Sequence, residues 1–264
     1  MRGIAGKRIV ISGGCGDIGS AVARRFLEEG ARVLLCDLLT ESNGTARVRE
    51  LHPENAHYVR CDVTDEQSVR AAIARALELF GGIDVAVSNA GAVANQPFLS
   101  VKEEDFNRTI AVNLTGSLLF ARAAALEMMK NPRPSDTAGP ETGRRGVILF
   151  TGSWVQAFPW PEGTSYCASK AAQEMMMKVA AQELAADGIT CNIVAPGIVY
   201  AGLTKRIYDS DEQFRKRANE TIPQGRLCSA DEVAGSFIFL ASDDAAYITG
   251  CSLFIDGGAS LVRR

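Results

Sequence analysis

Arg8-Ile9-Val10-Ile11-Ser12-Gly13-Gly14-Cys15-Gly16-Asp17-Ile18-Gly19 joins a short β-branched run to a cluster of glycines. Ile18, Val22, Phe26 and Leu27 then recur at helical spacing until Gly30, so the stretch predicts a strand, a glycine turn and a helix. Gly14, Gly16 and Gly19 form G-x-G-x-x-G at that junction. Glycines let the backbone turn tightly and approach a pyrophosphate. The helix start offers free N–H groups and a partial positive charge to the anion. The flanking strand and helix, more than the glycines alone, point to a dinucleotide site. Gly13, Gly16, Ile18 and Gly19 are therefore expected at a cofactor.

The same alternation continues outward. Apolar runs at Arg8–Ser12, Arg32–Asp37, Ala56–Arg60, Ile83–Ser88, Val147–Thr151, Ile189–Val194 and Ser252–Ile255 suit strands covered on both faces. Helical patterns lie between them at Asp17–Gly30, Asp65–Phe80, Glu103–Lys130, Ser165–Asp187 and Ser229–Ser242. The third of these is expected to break near Asn113–Gly116. Strands separated by helices predict right-handed βαβ units. The expectation is a single α/β domain over residues 1–264, a Rossmann-type doubly wound sheet of about seven parallel strands flanked by helices. Asn131–Gly146, rich in proline, glycine and polar residues, is expected to be an exposed loop.

Composition narrows the partners. The chain has 264 residues, 47% hydrophobic and 22% charged, and a net charge of −3, the profile of a folded globular domain. It lacks a basic block, which argues against nucleic acid. It also lacks a run of about 18 apolar residues, and no signal-like stretch precedes the first strand, so no membrane association is expected. The seven cysteines are scattered without a C-x-x-C pair and read as buried thiols of a cytoplasmic protein. His52 and His57 stand near each other without acidic or thiol neighbours at ligand spacing, so no metal is expected.

Asp37 ends the second strand, 18 residues after Gly19. A carboxylate there accepts from both hydroxyls of an adenosine ribose and repels a 2′-phosphate. Leu38 and Leu39 follow it where a phosphate-binding cation would stand. NAD is therefore expected over NADP.

Tyr166 and Lys170 form Y-x-x-x-K within Thr164–Ala172, and side chains four apart on a helix share a face. A free phenol titrates near about 10. A neighbouring ammonium and an oxidised nicotinamide both favour phenolate. Lowering that value by about 2–3 units requires about 3–4 kcal/mol, within reach of close charges in a dry site.

Further motifs follow in order: Asp62-Val63, Asn89-Ala90-Gly91, Asn113 within Val112–Gly116, Ser153 thirteen residues before Tyr166, Pro196-Gly197, Ile248-Thr249-Gly250 and Asp256-Gly257-Gly258. With these, nearly the whole chain resembles the short-chain dehydrogenase/reductase family. The resemblance implies that Asn113, Ser153, Tyr166 and Lys170 are catalytic. Tyr166 would exchange a proton with the substrate oxygen, Ser153 would hydrogen-bond that oxygen, and Lys170 would lower the phenol's pKa and bind the nicotinamide ribose. Asn113 would hold a water linking Lys170 to solvent. Asp62 and Val63 would lie on the adenine side. Asn89, Ala90 and Gly91 would also line the cofactor, with Pro196 and Gly197 beside the nicotinamide.

Two positions depart from the family pattern. Asp17 replaces the middle glycine of T-G-x-x-x-G-x-G, where it would either repel a pyrophosphate or cap a helix. Ala201 replaces a threonine that commonly reaches the nicotinamide, and Thr204 follows three residues later.

Trp154–Glu162 lies between Ser153 and Tyr166, so it is anchored beside the chemistry at both ends. Gln156, Trp160 and Glu162 are expected to line the substrate site, the tryptophan stacking on a ring and the polar pair binding hydroxyls. The surroundings of Trp160 and of Tyr247–Leu261 resemble the sugar 1-dehydrogenase branch. Residues 200–222 occupy the place of the family's substrate lid. The resemblance further implies a homotetramer, with Phe237–Leu240 and Leu253–Leu261 as contact surfaces or as core. The expected activity is hydride transfer between NAD and a sugar, polyol or related small alcohol. A 3-oxoacyl thioester reductase is the alternative enzyme, and an NAD-binding redox sensor the non-enzymatic one.

Overall fold

The computed structural model describes residues 1–52, 54–132 and 144–261. Seven strands, β1 (Arg8–Ser12), β2 (Arg32–Asp37), β3 (Ala56–Arg60), β4 (Val85–Ser88), β5 (Gly146–Thr151), β6 (Ile189–Pro196) and β7 (Ser252–Ile255), form one parallel sheet in the order β3-β2-β1-β4-β5-β6-β7. The order reverses between β1 and β4, which opens a crevice at the carboxyl ends of those strands.

The central strands are mostly apolar because successive side chains enter opposite cores. Ile9, Ile11, Val33, Leu35, Val85 and Val87 pack into one core, with α1 (Asp17–Glu28) and α9 (Ala230–Ala241). Val10, Leu34, Ala86, Ile148 and Phe150 enter the other, beneath α3 (Glu66–Phe80), α5 (Ser117–Met128) and α6 (Thr164–Leu184). Removing a fully buried ring such as Phe120 would cost about 3–5 kcal/mol.

Helix ends follow local chemistry. Asp65 caps α3 by accepting from Gln67 N–H, and Gly81 closes it at φ 75°. Ser229 and Glu232 form a reciprocal capping box at α9. The long pattern after Glu103 runs through α4 (Glu103–Ile110), a π-helical segment (Ala111–Gly116) and α5 without interruption, so the break expected near Asn113–Gly116 is a widened turn instead. By length and composition Glu103–Met128 could cross a membrane. Here one face of it, with Phe120, Ala121, Ala124 and Met128, packs into the core under α3 and α6.

Several boundaries differ from expectation. β4 starts at Val85, β5 at Gly146, and β6 runs on to Pro196. Residues 41–51 form α2 (Glu41–Leu51), which the sequence pattern missed because it buries only Gly44 and Val48. Residues 202–221 form two helices, α7 (Gly202–Ser210) and α8 (Glu212–Thr221), separated by Asp211, which caps the second. Phe237, Ile238 and Leu240 are fully buried within the chain, so most of the first suggested contact surface is core. Most of the loop expected over 131–146 lies outside the described residues.

Candidate active site

β1 and α1 build the floor of the crevice. Gly13 has φ 62°, and a Cβ there would stand 2.8 Å from Ala90 Cα. A Cβ on Gly19 would meet the Gly13 carbonyl at 2.2 Å, so only glycine lets turn and helix close up. Asn89 fixes the turn: its Nδ2 donates to Gly13 O at 2.9 Å, and its Oδ1 accepts from Thr151 Oγ1 at 3.0 Å. Ser12 Oγ accepts from the Asn89 and Ala90 N–H groups. α1 starts behind Gly16 with no side chain capping its first N–H groups.

A groove of about 650 Å³ runs across these elements. Gly13, Gly16, Ile18, Gly19, Asp37, Asp62, Val63, Asn89, Ala90 and Gly91 all line it, as do Tyr166 and Lys170. Pro196 and Gly197 line an adjoining cleft of about 330 Å³ instead. Ile18, Val93, Thr151, Tyr166 and Ala201 border both spaces. Asp37 accepts from Cys15 N–H at 3.0 Å and Leu38 N–H at 2.7 Å, which holds the carboxylate at the groove's far end.

Asp17 caps a different helix from its own. Its Oδ2 accepts from Gly202 N–H at 2.6 Å, at the first residue of α7, where Ala201 provides no side-chain cap. Ala201 and Thr204 both line the adjoining cleft.

Tyr166 and Ser153 meet where groove and cleft join. Burial of the phenol raises its pKa above the ordinary value, and a hydrogen bond from Ser153 acts the other way. Lys170 Nζ lies 5.7 Å from the centre of the Tyr166 ring. It donates to Thr151 O at 2.6 Å and Gln173 Oε1 at 3.2 Å. Burial among these neutral partners brings the ammonium down to about 7. The sequence predicts a phenol made acidic by its lysine; in the protein alone burial prevails and the shift is upward.

Asn113 is buried and engaged by both side chain and main chain. Its side chain accepts from Ala92 N–H at 2.7 Å and donates to Ala92 O and Ser169 Oγ, both at 2.9 Å. Ser169 Oγ in turn donates to Tyr166 O at 2.7 Å. The Asn113 carbonyl accepts from Gln173 Nε2 at 3.1 Å and Ser117 Oγ at 2.8 Å. The sequence expectation gave Asn113 a water that links Lys170 to solvent; between the side chain of Lys170 and the Asn113 carbonyl the protein places the Gln173 amide. Gln173, Ser117, Ser169 and Thr151 escaped sequence reasoning. For Gln173 the available signal was its place one turn beyond Lys170 on the same helix face.

Two expected substrate residues need correction. Gln156 is buried and turned inward, accepting from Ser153 N–H at 3.3 Å and donating to Ser252 Oγ at 3.2 Å. It completes a capping box with Ser153. Glu162 is exposed at φ 65° on the turn before α6 and is absent from the cleft lining. Trp160 does line the cleft and meets Trp154 edge-on, with ring centres 5.5 Å apart. The wall is mostly apolar: Trp154, Val155, Ile198, Val199, Ile207 and Phe214, with Asn95 and Thr204 its polar side chains beyond Ser153, Tyr166 and Thr151.

A groove bordered by Gly13, Gly19, Asp37, Tyr166 and Lys170 is the arrangement expected of a nicotinamide-dependent oxidoreductase, and comparison with known proteins agrees. The family model described as Enoyl-(Acyl carrier protein) reductase matches residues 14–260. A 2,5-dichloro-2,5-cyclohexadiene-1,4-diol dehydrogenase of Sphingobium indicum is 36% identical over 259 residues, covering 98% of both chains. A glucose 1-dehydrogenase of Gluconobacter oxydans is 34% identical over 261 residues, covering 97% of this chain and 93% of that one. A solved short-chain type dehydrogenase/reductase from Mycobacterium marinum aligns with a TM-score of 0.85 at 33% identity, over 97% of this chain and 96% of that one. The chain belongs to the short-chain dehydrogenase/reductase family. Members act on hydroxyl groups and use nicotinamide cofactors.

Proposed function

We propose that this protein is an NAD-dependent dehydrogenase that interconverts a secondary alcohol and its ketone on an apolar, ring-bearing molecule. The observation that carries this is the position of Tyr166, bordering both the groove and the apolar cleft with Ser153 beside it.

The groove fits a dinucleotide. The close approach at Gly13 and Gly19 and the uncapped start of α1 suit a pyrophosphate. Asp37 suits a ribose with free hydroxyls, and Leu38 beside it offers no charge to a 2′-phosphate. The bound nicotinamide supplies the hydride acceptor or donor. Tyr166 gives its proton to the substrate oxygen in reduction and takes it in oxidation. Ser153 donates to the same oxygen as its charge develops. Lys170, held by Thr151 O and Gln173, brings positive charge under the phenol when protonated. With its pKa raised, free Tyr166 is a neutral phenol near pH 7 and stands ready as a proton donor.

The apolar wall favours an apolar substrate, because hydroxyls facing Ile198, Ile207 and Phe214 would lose water without gaining partners. The diol dehydrogenase relative is named for a ring alcohol. A free sugar is the second reading, supported by the glucose 1-dehydrogenase relative, although Gln156 and Glu162 are not placed to bind its hydroxyls. A homotetramer is part of the same proposal, supported by the exposed apolar residues Leu118, Leu126, Met175 and Val179 on α5 and α6.

A panel of cyclic secondary alcohols, aldoses and polyols, each offered with NAD and with NADP and followed by absorbance of the reduced cofactor, tests this. Turnover of cyclic alcohols with NAD is expected. Activity confined to aldoses would favour the second reading, and preference for NADP would refute the cofactor assignment.

A further inference from the structure

We propose that Gln173 is a positioning residue of the catalytic machinery, a side-chain strut that fixes the Lys170 ammonium against the main chain of Asn113. This rests on the dehydrogenase function proposed above, but the arrangement behind it is visible without substrate.

Gln173 follows Lys170 by three residues on α6 and has no exposed surface. Both ends of its amide are used. Oε1 accepts from Lys170 Nζ at 3.2 Å, and Nε2 donates to Ser117 Oγ at 2.7 Å and Asn113 O at 3.1 Å. Ser117 Oγ closes the ring by donating to Asn113 O at 2.8 Å. The Asn113 carbonyl belongs to the π-helical segment, whose wider turn departs from the ordinary helical pairing, and it accepts from both of these side-chain donors.

Asn113 thereby positions both members of the Tyr-Lys pair. Its side chain reaches the Tyr166 main chain through Ser169, and its carbonyl reaches Lys170 through Gln173.

The groups around Lys170 are neutral. β5 presents Thr151 O, the π-helical segment and α5 present Asn113 and Ser117 behind Gln173, and α6 presents Tyr166, the one titratable group among them. Burial, with no charged side chain to offset it, sets the behaviour of the ammonium. Oε1 is thus one of two oxygen dipoles that stabilise the charge, and its loss should be felt directly. A hydrogen bond to a charged group corresponds to about one pH unit or more.

The experiment follows the lysine Cε resonances of the full-length protein by NMR during pH titration, Lys170 being assigned from its absence in Lys170→Met. Gln173→Leu should lower the Lys170 midpoint by about one unit, whereas Gln173→Glu, which places a carboxylate at the same atom, should raise it. The pH profile of alcohol oxidation should change in Gln173→Leu, with kcat reduced about tenfold near neutrality and KM for NAD nearly unchanged. Gln173→Met serves in place of Gln173→Leu if the latter does not fold. Unchanged midpoints in the leucine (or methionine) and glutamate variants would reduce Gln173 to a packing residue and overturn the proposal. Shifted midpoints without turnover of any alcohol would uphold the strut and tell instead against the proposed activity.

Discussion

The carboxylate of Asp17 accepts a 2.6 Å hydrogen bond from the main-chain N–H of Gly202. It thereby ties the first turn of α1 to the first turn of α7. The aspartate that interrupts the glycine pattern carries a negative charge at the groove and holds the segment proposed as the lid. These two effects can be separated. Asp17→Asn keeps an acceptor and removes the charge, so KM for NAD should fall about two- to fivefold, the size of an exposed charge effect at a helix end. Asp17→Gly removes the tie, so trypsin should cut faster after Lys205 and Arg206, both exposed on α7. Unaltered KM and cleavage rates would show that the contact governs neither.

Lys170 gives the fold a pH dependence of definite sign. Its folded value, about 7, lies below the ordinary 10.5, so the unfolded chain binds more protons between those values. The contribution of Lys170 to the stability of the cofactor-free protein therefore rises with pH across that window, and the cost of burying the ammonium is greatest below about pH 7. Tyr166, shifted upward, opposes this only above about pH 10. Relative to wild type, Lys170→Met should be more favourable near pH 6 than near pH 9.5, by about 3 °C or more in Tm. Parallel melting curves across that range would contradict the assigned burial.

Asp37 and Leu38 should set cofactor choice. Asp37→Ser combined with Leu38→Arg removes the carboxylate and adds a phosphate partner beside the groove. The ratio of kcat/KM for NADP to that for NAD should rise by at least about tenfold, corresponding to about 1.4 kcal/mol. An unchanged ratio would mean that the adenosine ribose does not rest on this strand end.

The fold was legible because its strands are covered on both faces. Val10 and Ile11 enter different cores, so an uninterrupted apolar run and a parallel central strand are the same physical fact. α2 was not legible, because two buried positions in eleven residues leave no periodic signal. In the site, the glycines, Asp37, Tyr166 and Lys170 could be picked out because short spacing fixes their relation, and Ser153 through the family resemblance. Gln156 misled, because a polar side chain between two aromatics suggests a ligand, whereas here it closes a capping box with Ser153. Gln173 stayed hidden because its partners Asn113 and Ser117 lie 60 and 56 residues away, a distance that only tertiary packing closes.

The account depends on a phenol delivering and removing the proton at the junction of groove and cleft. Tyr166→Phe, assayed for alcohol oxidation and for NADH binding by fluorescence, tests this most directly. A loss of kcat of about 10²–10⁴-fold, with NADH affinity within about twofold of wild type, is the predicted result. Turnover retained by the phenylalanine variant would contradict the assignment of this site.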